Sequence, residues 1–340
     1  WKYKRPITLN PATPEADYQV KIELNTSNFD YSKAKADGGD LRFYQADGTK
    51  LNYWIEEWNT SGTSTIWVKV ATAGTDTIYM YYGNPSASSA SDGYATFEFF
   101  DDFESYDVGT NIPNWTEVDG EWEIGIPAGK TKAVRITSSV DDALLIRDAN
   151  YSGPRVTEAD ILDEDFGSPD PYPGIIAGYT DSSTYTAIFW KSHEGGLYKW
   201  PHAAIATGLS GASPNNYYKM SVVVDGSGTV SHISFLNYSA DPGISSIPAD
   251  GVGLWMYLPT GRTDVGWIDN FRVRKYASPE PAATVGNETA AGISKAGSYG
   301  IGANTTTAFA SINNQTISAP ISSGWSHIVL TYDKDAGGTE

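Results

Sequence analysis

Four acids carry the spacing that could share one cation. Asp101, Asp102 and Glu104 lie in the run Glu98-Phe99-Phe100-Asp101-Asp102-Phe103-Glu104, and Asp269 lies in Trp267-Ile268-Asp269-Asn270-Phe271-Arg272-Val273-Arg274. Each run is strand-like apolar sequence interrupted by acids, and the two bracket the middle of the chain. We read them as the first and last strands of one β-sandwich. Ca2+ takes roughly six to eight hard oxygen ligands, so strands lying side by side would gather these carboxylates around one structural Ca2+. The competing reading gives Asp102 and Asp269 to turns, or to ion pairs with Arg272 and Arg274.

A second acidic pattern is Glu158-Ala159-Asp160-Ile161-Leu162-Asp163. Alternate residues of a strand share a face, and a retaining glycosidase mounts its nucleophile and acid about 5 Å apart. The run resembles the paired-acid strand of concanavalin-fold glucanases, but it offers Asp163 where that strand ends in Glu. Asp165 and Asp170 extend it into an acidic loop. Exposed acids are ordinary, so a solvated strand end is the expected reading and no enzyme is expected. His193, His202, His232 and His327 lack the spacing of a zinc site, and no G-x-S-x-G elbow anchors a serine-hydrolase triad. The run Gly297-x-x-Gly300-x-Gly302 lacks the lysine of a phosphate loop and reads as a turn.

Aromatic residues offer binding rather than catalysis. Trp54, Trp58, Trp190, Tyr198, Trp200, Trp255 and Tyr257 lie in or beside strand-like runs. Tyr and Trp join an apolar ring to a polar handle and serve equally well in sandwich cores. Strand alternation turns most of them inward, while an exposed row would stack on sugar rings. Trp190, Tyr198 and Trp200 are the candidate glycan-binding residues.

Composition bounds the class. The 340 residues carry 34 Gly and 18 Pro with 13% aromatics, a profile of short strands joined by turns. The net charge of −18 disfavours nucleic acid and anionic membrane surfaces, and zero Cys excludes disulfides and thiolate chemistry. No apolar run is long enough for a membrane-spanning helix. A chain opening Trp1-Lys2-Tyr3 without Met is read as exported and trimmed. Asn-x-Ser/Thr sequons at Asn25, Asn59, Asn114, Asn150, Asn237, Asn287, Asn304 and Asn314 point to N-glycosylation on an extracellular or cell-surface protein.

Taken in order, residues 1–94 alternate cleanly. Tyr18, Val20, Ile22 and Leu24 face one way and Gln19, Lys21 and Glu23 the other, and Asp47-Gly48 marks a hairpin. Residues 86–93 read as a flexible small-residue linker. Residues 95–278 hold a dozen or so short strands separated by turn residues, the pattern of a two-sheet sandwich. Residues 279–288 read as a proline-bearing linker, and residues 289–340 as an incomplete β segment ending in Trp325-Ser326-His327-Ile328-Val329-Leu330. The fold class is therefore all-β, with antiparallel β-sandwich modules in tandem.

Trp1-Lys2-Tyr3-Lys4-Arg5-Pro6-Ile7, Gly39-Asp40-Leu41-Arg42-Phe43, Tyr53-Trp54-Ile55-Glu56, Ile66-Trp67-Val68-Lys69-Val70 and Tyr81-Tyr82-Gly83-Asn84-Pro85 resemble a family of uncharacterised modules. Those modules stand at the front of large archaeal and bacterial surface proteins, usually before a concanavalin-like jelly roll. The middle segment resembles the concanavalin and laminin-G jelly-roll group, and residues 324–333 resemble a laminin-G strand. The resemblance adds weight to Ca2+, because jelly rolls of this group include calcium-bearing ones, and it carries no catalytic residues.

The expected function is a non-catalytic, extracellular structural or adhesive protein that assembles into a surface layer or filament. Its partners would be copies of itself, other surface proteins or polysaccharide. Exposed strand edges in the last segment would accept a neighbour's strand. The alternative is a carbohydrate-binding module array within a larger polysaccharide-active enzyme.

Overall fold

The computed structural model describes residues 1–320 except 110–111, 139, 149–150, 152, 168–169, 202, 249–250, 262–265, 292, 296–298, 304–306 and 313–314. The sequons at Asn150, Asn304 and Asn314, together with His202, His327 and the expected strand around Trp325, lie outside the described residues.

The chain opens with β1 (Tyr3–Asn10), β2 (Tyr18–Asn25), β3 (Arg42–Gln45), β4 (Lys50–Glu57), β5 (Thr63–Val70) and β6 (Thr77–Tyr82). A single helical turn, α1 (Gly93–Thr96), precedes β7 (Phe99–Asp101), β8 (Thr116–Asp119), β9 (Trp122–Gly125), β10 (Ala133–Ile136) and β11 (Val140–Asp148). Then come β12 (Arg155–Asp163), β13 (Tyr172–Asp181), β14 (Thr184–Lys191), β15 (Gly196–Lys199) and β16 (Ala203–Ala206). Next are β17 (Tyr218–Val224), β18 (Val230–Phe235), β19 (Tyr238–Ala240), β20 (Gly251–Leu258) and β21 (Gly266–Lys275). After these, β22 (Ala282–Val285) and β23 (Thr289–Ala290) precede a meander of β24 (Ile293–Lys295), β25 (Tyr299–Ala303), β26 (Thr307–Ile312) and β27 (Gln315–Pro320). The protein is all-β, with antiparallel ladders.

The strands form two compact units. One comprises residues 1–96 and the chain from Pro281 onward, the other Phe97–Glu280. In the first, the sheet order is β2-β5-β4-β3-β6-β1-β22, with β23 also on β1. Alternation acts as expected in most of β2: Tyr18, Val20, Ile22 and Leu24 are buried and Lys21 and Glu23 face water, but Gln19, expected outward, is buried and donates its Nε2 to the Thr96 carbonyl at 3.1 Å. Strand β4 changes partner along its length, pairing β3 through Lys50 and Leu51 and β5 from Asn52 to Glu57. The sheet therefore folds over on itself, and β2 comes to lie against β22.

Two segments read as linkers are structured. Ala282 to Val285 pair with Asn10 to Ile7 of β1. Just beyond them, Glu288 accepts hydrogen bonds from Lys33 and Tyr82, both at 2.7 Å, with Arg5 at 4.0 Å. The prolines at 279 and 281 hide this strand from a composition reading, because they precede it without occupying its ladder. The run at 86–93 is likewise held: Ile55 donates to Ser91 Oγ at 2.8 Å, and Asp92 donates its backbone N–H to the Tyr53 carbonyl at 2.8 Å.

The second unit is a β-sandwich. One sheet, the seam sheet, has the order β19-β18-β17-β12-β21-β10-β9, with β7 added on β21. The other has the order β16-β15-β14-β13-β20-β11-β8. Their facing sides enclose one core, to which the seam sheet contributes Ile161, Val222, Ile268 and Phe271 and the other sheet Leu145, Ile175, Ile188, Trp190, Leu254 and Met256. The first and last strands of the sandwich pair as the sequence implied, with Asp101 opposite Phe271 and Phe99 opposite Val273.

Candidate ligand-binding face

The acids of the seam are occupied by the fold. Asp101 is 2% exposed. It accepts hydrogen bonds from the Phe103 N–H at 2.9 Å and from the Tyr106 hydroxyl and Trp115 Nε1 at 2.8 Å each. Burial raises its pKa against those donors. Asp102 accepts from the Glu104 N–H at 3.3 Å, and Glu104 accepts from the Lys132 N–H at 2.9 Å. Asp269 accepts from the Asn270 N–H at 2.6 Å, and burial, aided by Asp160, Glu104 and Asp102, pushes its pKa up to about 8. Among the described residues, no group of three or more His, Asp or Glu side chains is arranged to hold a metal ion. Each of the four expected calcium ligands accepts at least one hydrogen bond from the protein, and these bonds tie the seam together.

The Glu158 strand departs from expectation in a different way. Glu158 is buried rather than solvated, and Arg272 Nε donates to its Oε2 at 2.7 Å while Arg274 stands 3.9 Å away. Burial alone would raise its pKa, but Arg272, Arg274 and Lys219 together outweigh it and bring the carboxyl down to about 2. Such a group neither donates a proton as a general acid nor faces a substrate. Asp160 accepts from Asn270 Nδ2 at 2.9 Å.

Asp163 and Asp170 converge on the Ser192 hydroxyl, whose single proton serves one of them at a time, and Asp170 also accepts from the His193 backbone N–H at 2.9 Å and contacts His193 Nδ1. Serine, histidine and aspartate are all present here, but Ser192 is bonded to carboxylates and not to an imidazole, so this is not the Ser-His pairing of a serine-hydrolase triad.

The outer side of the second sheet is different. Leu144, Ile146, Ile176, Ala187, Phe189 and Trp255 form a cluster separate from the core, ringed by half-buried Tyr172, Tyr179, Tyr185, Tyr198, Trp200 and Tyr257. Strand alternation accounts for the sorting, because Ile188, Trp190, Leu254 and Met256 point into the core between these residues. Trp190 is accordingly not a glycan contact. It is 1% exposed and packs against Phe166 and Phe235 between the sheets. Tyr198 and Trp200 do lie on the aromatic face.

Cross-strand register builds this face in rows. Tyr198 pairs with Phe189, Phe189 with Gly174, Gly174 with Trp255 and Trp255 with Leu144. Gly174 explains how the rings meet. It has no side chain between Phe189 and Trp255, whose centroids close to 4.3 Å across it. A Cβ there would fall 2.4 Å from the Ile188 carbonyl oxygen and 2.6 Å from Phe189 Cβ. The next row sets Tyr172 opposite Tyr257, stacked at 4.7 Å. In the third row, Trp200 donates its N–H to the Ala187 carbonyl at 3.0 Å, and Ala187 pairs with Ile176 and Ile176 with Gly253.

Polar groups border the rings. Trp255 Nε1 donates to Asp142 at 3.1 Å, and the Tyr198 hydroxyl donates to Glu194 at 2.5 Å. Phe189 and Lys191 follow from alternation along β14 once Trp190 is turned inward, whereas Tyr172 lies on β13 and is placed by the pairing of strands. Gly174 has no such local signal.

Comparison with known proteins gives a partial match. Residues 37–119 match the family model described as Domain of unknown function (DUF2341). No curated protein matches the chain. Among solved structures, the chain is similar to the carbohydrate binding module CBM66 from Bacillus subtilis, at 15% identity over 48% of this chain and 98% of that one, with TM-score 0.34. It is also similar to a Bacillus subtilis protein of unknown function with galectin-like fold, at 13% identity over 53% and 96% and TM-score 0.35. A third is the N-terminal CBM22-1-CBM22-2 tandem domain of Paenibacillus barcinonensis Xyn10C, at 9% identity over 81% and 78% and TM-score 0.31.

The five described sequons lie on turns or strand ends. Asn114, Asn237 and Asn287 are exposed. Asn25 and Asn59 are half-buried and accept hydrogen bonds from Ser27 and Ser61 two residues on. Among the described residues, no helix is long and apolar enough to cross a membrane.

Proposed function

We propose that residues 97–280 bind polysaccharide through the aromatic face without catalysis, as a binding module of an extracellular or cell-surface protein. The observation that carries this reading is the half-exposed ring of Tyr172, Tyr185, Tyr198, Trp200 and Tyr257 on the side of the sheet turned away from the core. Rings not needed to fill a core present apolar surface that calls for a partner. Phenol hydroxyls, an indole and bordering carboxylates supply hydrogen bonds for sugar hydroxyls beside that apolar surface. N-glycosylation at Asn114, Asn237 and Asn287 belongs to the same proposal, whereas self-assembly into a layer or filament does not.

Affinity electrophoresis in gels containing soluble polysaccharides tests it. Retardation by at least one polymer is expected, with about a tenfold weaker interaction in Tyr198→Ala and Trp200→Ala at unchanged melting temperature. Free mobility in every polymer, or cleavage of any of them, would overturn the reading.

A further inference from the structure

Lys191 is the charged side chain in the rows of the aromatic face, and its charge is already engaged. Its Nζ lies 4.8 Å from the Tyr172 ring centroid and 4.6 Å from that of Tyr198, so the ammonium sits between two tyrosines on flanking strands. The same Nζ is 3.6 Å from Glu194 Oε1. Glu194 in turn accepts the Tyr198 hydroxyl at 2.5 Å. That hydrogen bond lowers the Glu194 pKa and, with burial, raises Tyr198 to about 12, so the pair is a neutral phenol and an ionised carboxylate.

The slot is built for this arrangement. Gly196 pairs with Lys191 across the ladder, and a Cβ on it would fall 2.4 Å from Tyr198 Cε2. The missing side chain lets the tyrosine ring lean over position 196 toward the ammonium. An ammonium held over the faces of two rings is attracted to both, which keeps the rings apart and upright. Beside it stands the carboxylate of Glu194, which neutralises Lys191, and a second carboxylate, Asp142, borders the face at Trp255, whose Nε1 donates to it at 3.1 Å. His193 Nε2 is 3.6 Å from the same Glu194 oxygen. Among the described residues, no further cation of the rows remains for an anionic ligand, and the whole chain carries a charge of −18.

We propose that the face selects neutral glycans over carboxylate-bearing ones, with Lys191 as a positioning residue that spaces Tyr172 and Tyr198 rather than as an anion ligand. This rests on the glycan-binding reading and names its ligand class.

Titration calorimetry tests the proposal on the whole chain, with a neutral polysaccharide that retards it and a uronate polymer of similar length. The uronate polymer is expected to bind at least ten times more weakly, the gap narrowing with added salt and in Glu194→Gln. Lys191→Met is expected to weaken the neutral polymer about tenfold and to change the near-ultraviolet circular dichroism of the tyrosines. Lys191→Arg should restore both, because a guanidinium also stacks between rings. Equal or tighter uronate binding, abolished in Lys191→Met, would make Lys191 an anion ligand and overturn the proposal. If no polymer binds, the glycan reading and its selectivity fall together. The dichroism still judges the positioning role, which an unchanged tyrosine signal in Lys191→Met refutes.

Discussion

The outer sides of the two sheets of the sandwich are chemical opposites. On the seam sheet, Glu158, Arg272 and Arg274 are buried with one another, and the Phe97 ring lies 5.7 Å from the Arg272 guanidinium carbon. On the other sheet the outer side carries rings, with tyrosines and a tryptophan left half-buried. The side richer in chemically active groups is the one committed to holding the fold. A buried charge must find its partner within the protein, so a dense run of acids that ends up buried is consumed by structure. Aromatic rings gain from burial but tolerate partial exposure, and an excess of them over what the core needs is what remains for a ligand.

Removing Arg272 should have the largest effect on this contrast. Arg272→Met leaves Glu158 buried with its principal partner gone, and a loss of about 3–5 kcal/mol is expected from urea unfolding near neutral pH. A loss under about 1 kcal/mol would mean that the seam-sheet side is not held by its charges.

The pH profile sharpens the comparison, since the two seam acids pull in opposite directions. Glu158 has a folded pKa of about 2 against an ordinary 4.5, so its contribution is present above pH 4.5 and is lost as pH falls through about 2. By linkage that is a change of about 3 kcal/mol. Asp269, raised from 3.8 to about 8, holds its proton more tightly in the folded state, so its contribution is fully present below pH 3.8 and is lost as pH rises through about 8. Melting temperatures across this range should fall at both ends. Glu158→Gln removes the acid-side slope and Asp269→Asn the other, and an Asp269→Asn profile that keeps its decline toward pH 8 would assign that decline elsewhere.

The smallest expected effect is on the aromatic side. Gly174→Ala places a methyl group 2.4 Å from the Ile188 carbonyl oxygen and should cost about 1–2 kcal/mol. It should also separate Phe189 from Trp255, visible as altered tryptophan fluorescence in the folded state. Unchanged fluorescence and stability would show that the ring contact does not depend on the missing side chain.

Much of the fold was legible in the chain. Alternation in Tyr18 to Leu24 identified a half-buried strand, and the Phe99 and Trp267 runs were recognisable as strands that close one sandwich. The role of the acids within those runs was not legible, because nothing local distinguishes a carboxylate bound for a cation from one bound for the Tyr106 hydroxyl and the Trp115 indole. The candidate face was half visible: Tyr198 and Trp200 stood out as aromatics, and the same alternation that puts Phe189 and Lys191 on the outer side turns Trp190 inward.

What the amino-acid sequence determined by itself was local: an all-β chain, the places of many strands and the inward side of each. A period of two follows from backbone geometry within a single strand. The tertiary structure alone decided which strands became neighbours. Ala282 to Val285 return to β1, Arg272 finds Glu158 at a separation of 114 residues, and Gly174 comes to stand between Phe189 and Trp255. Those pairings depend on closing long loops and packing whole sheets. No short stretch of sequence records which distant side chain, or which missing one, will lie opposite.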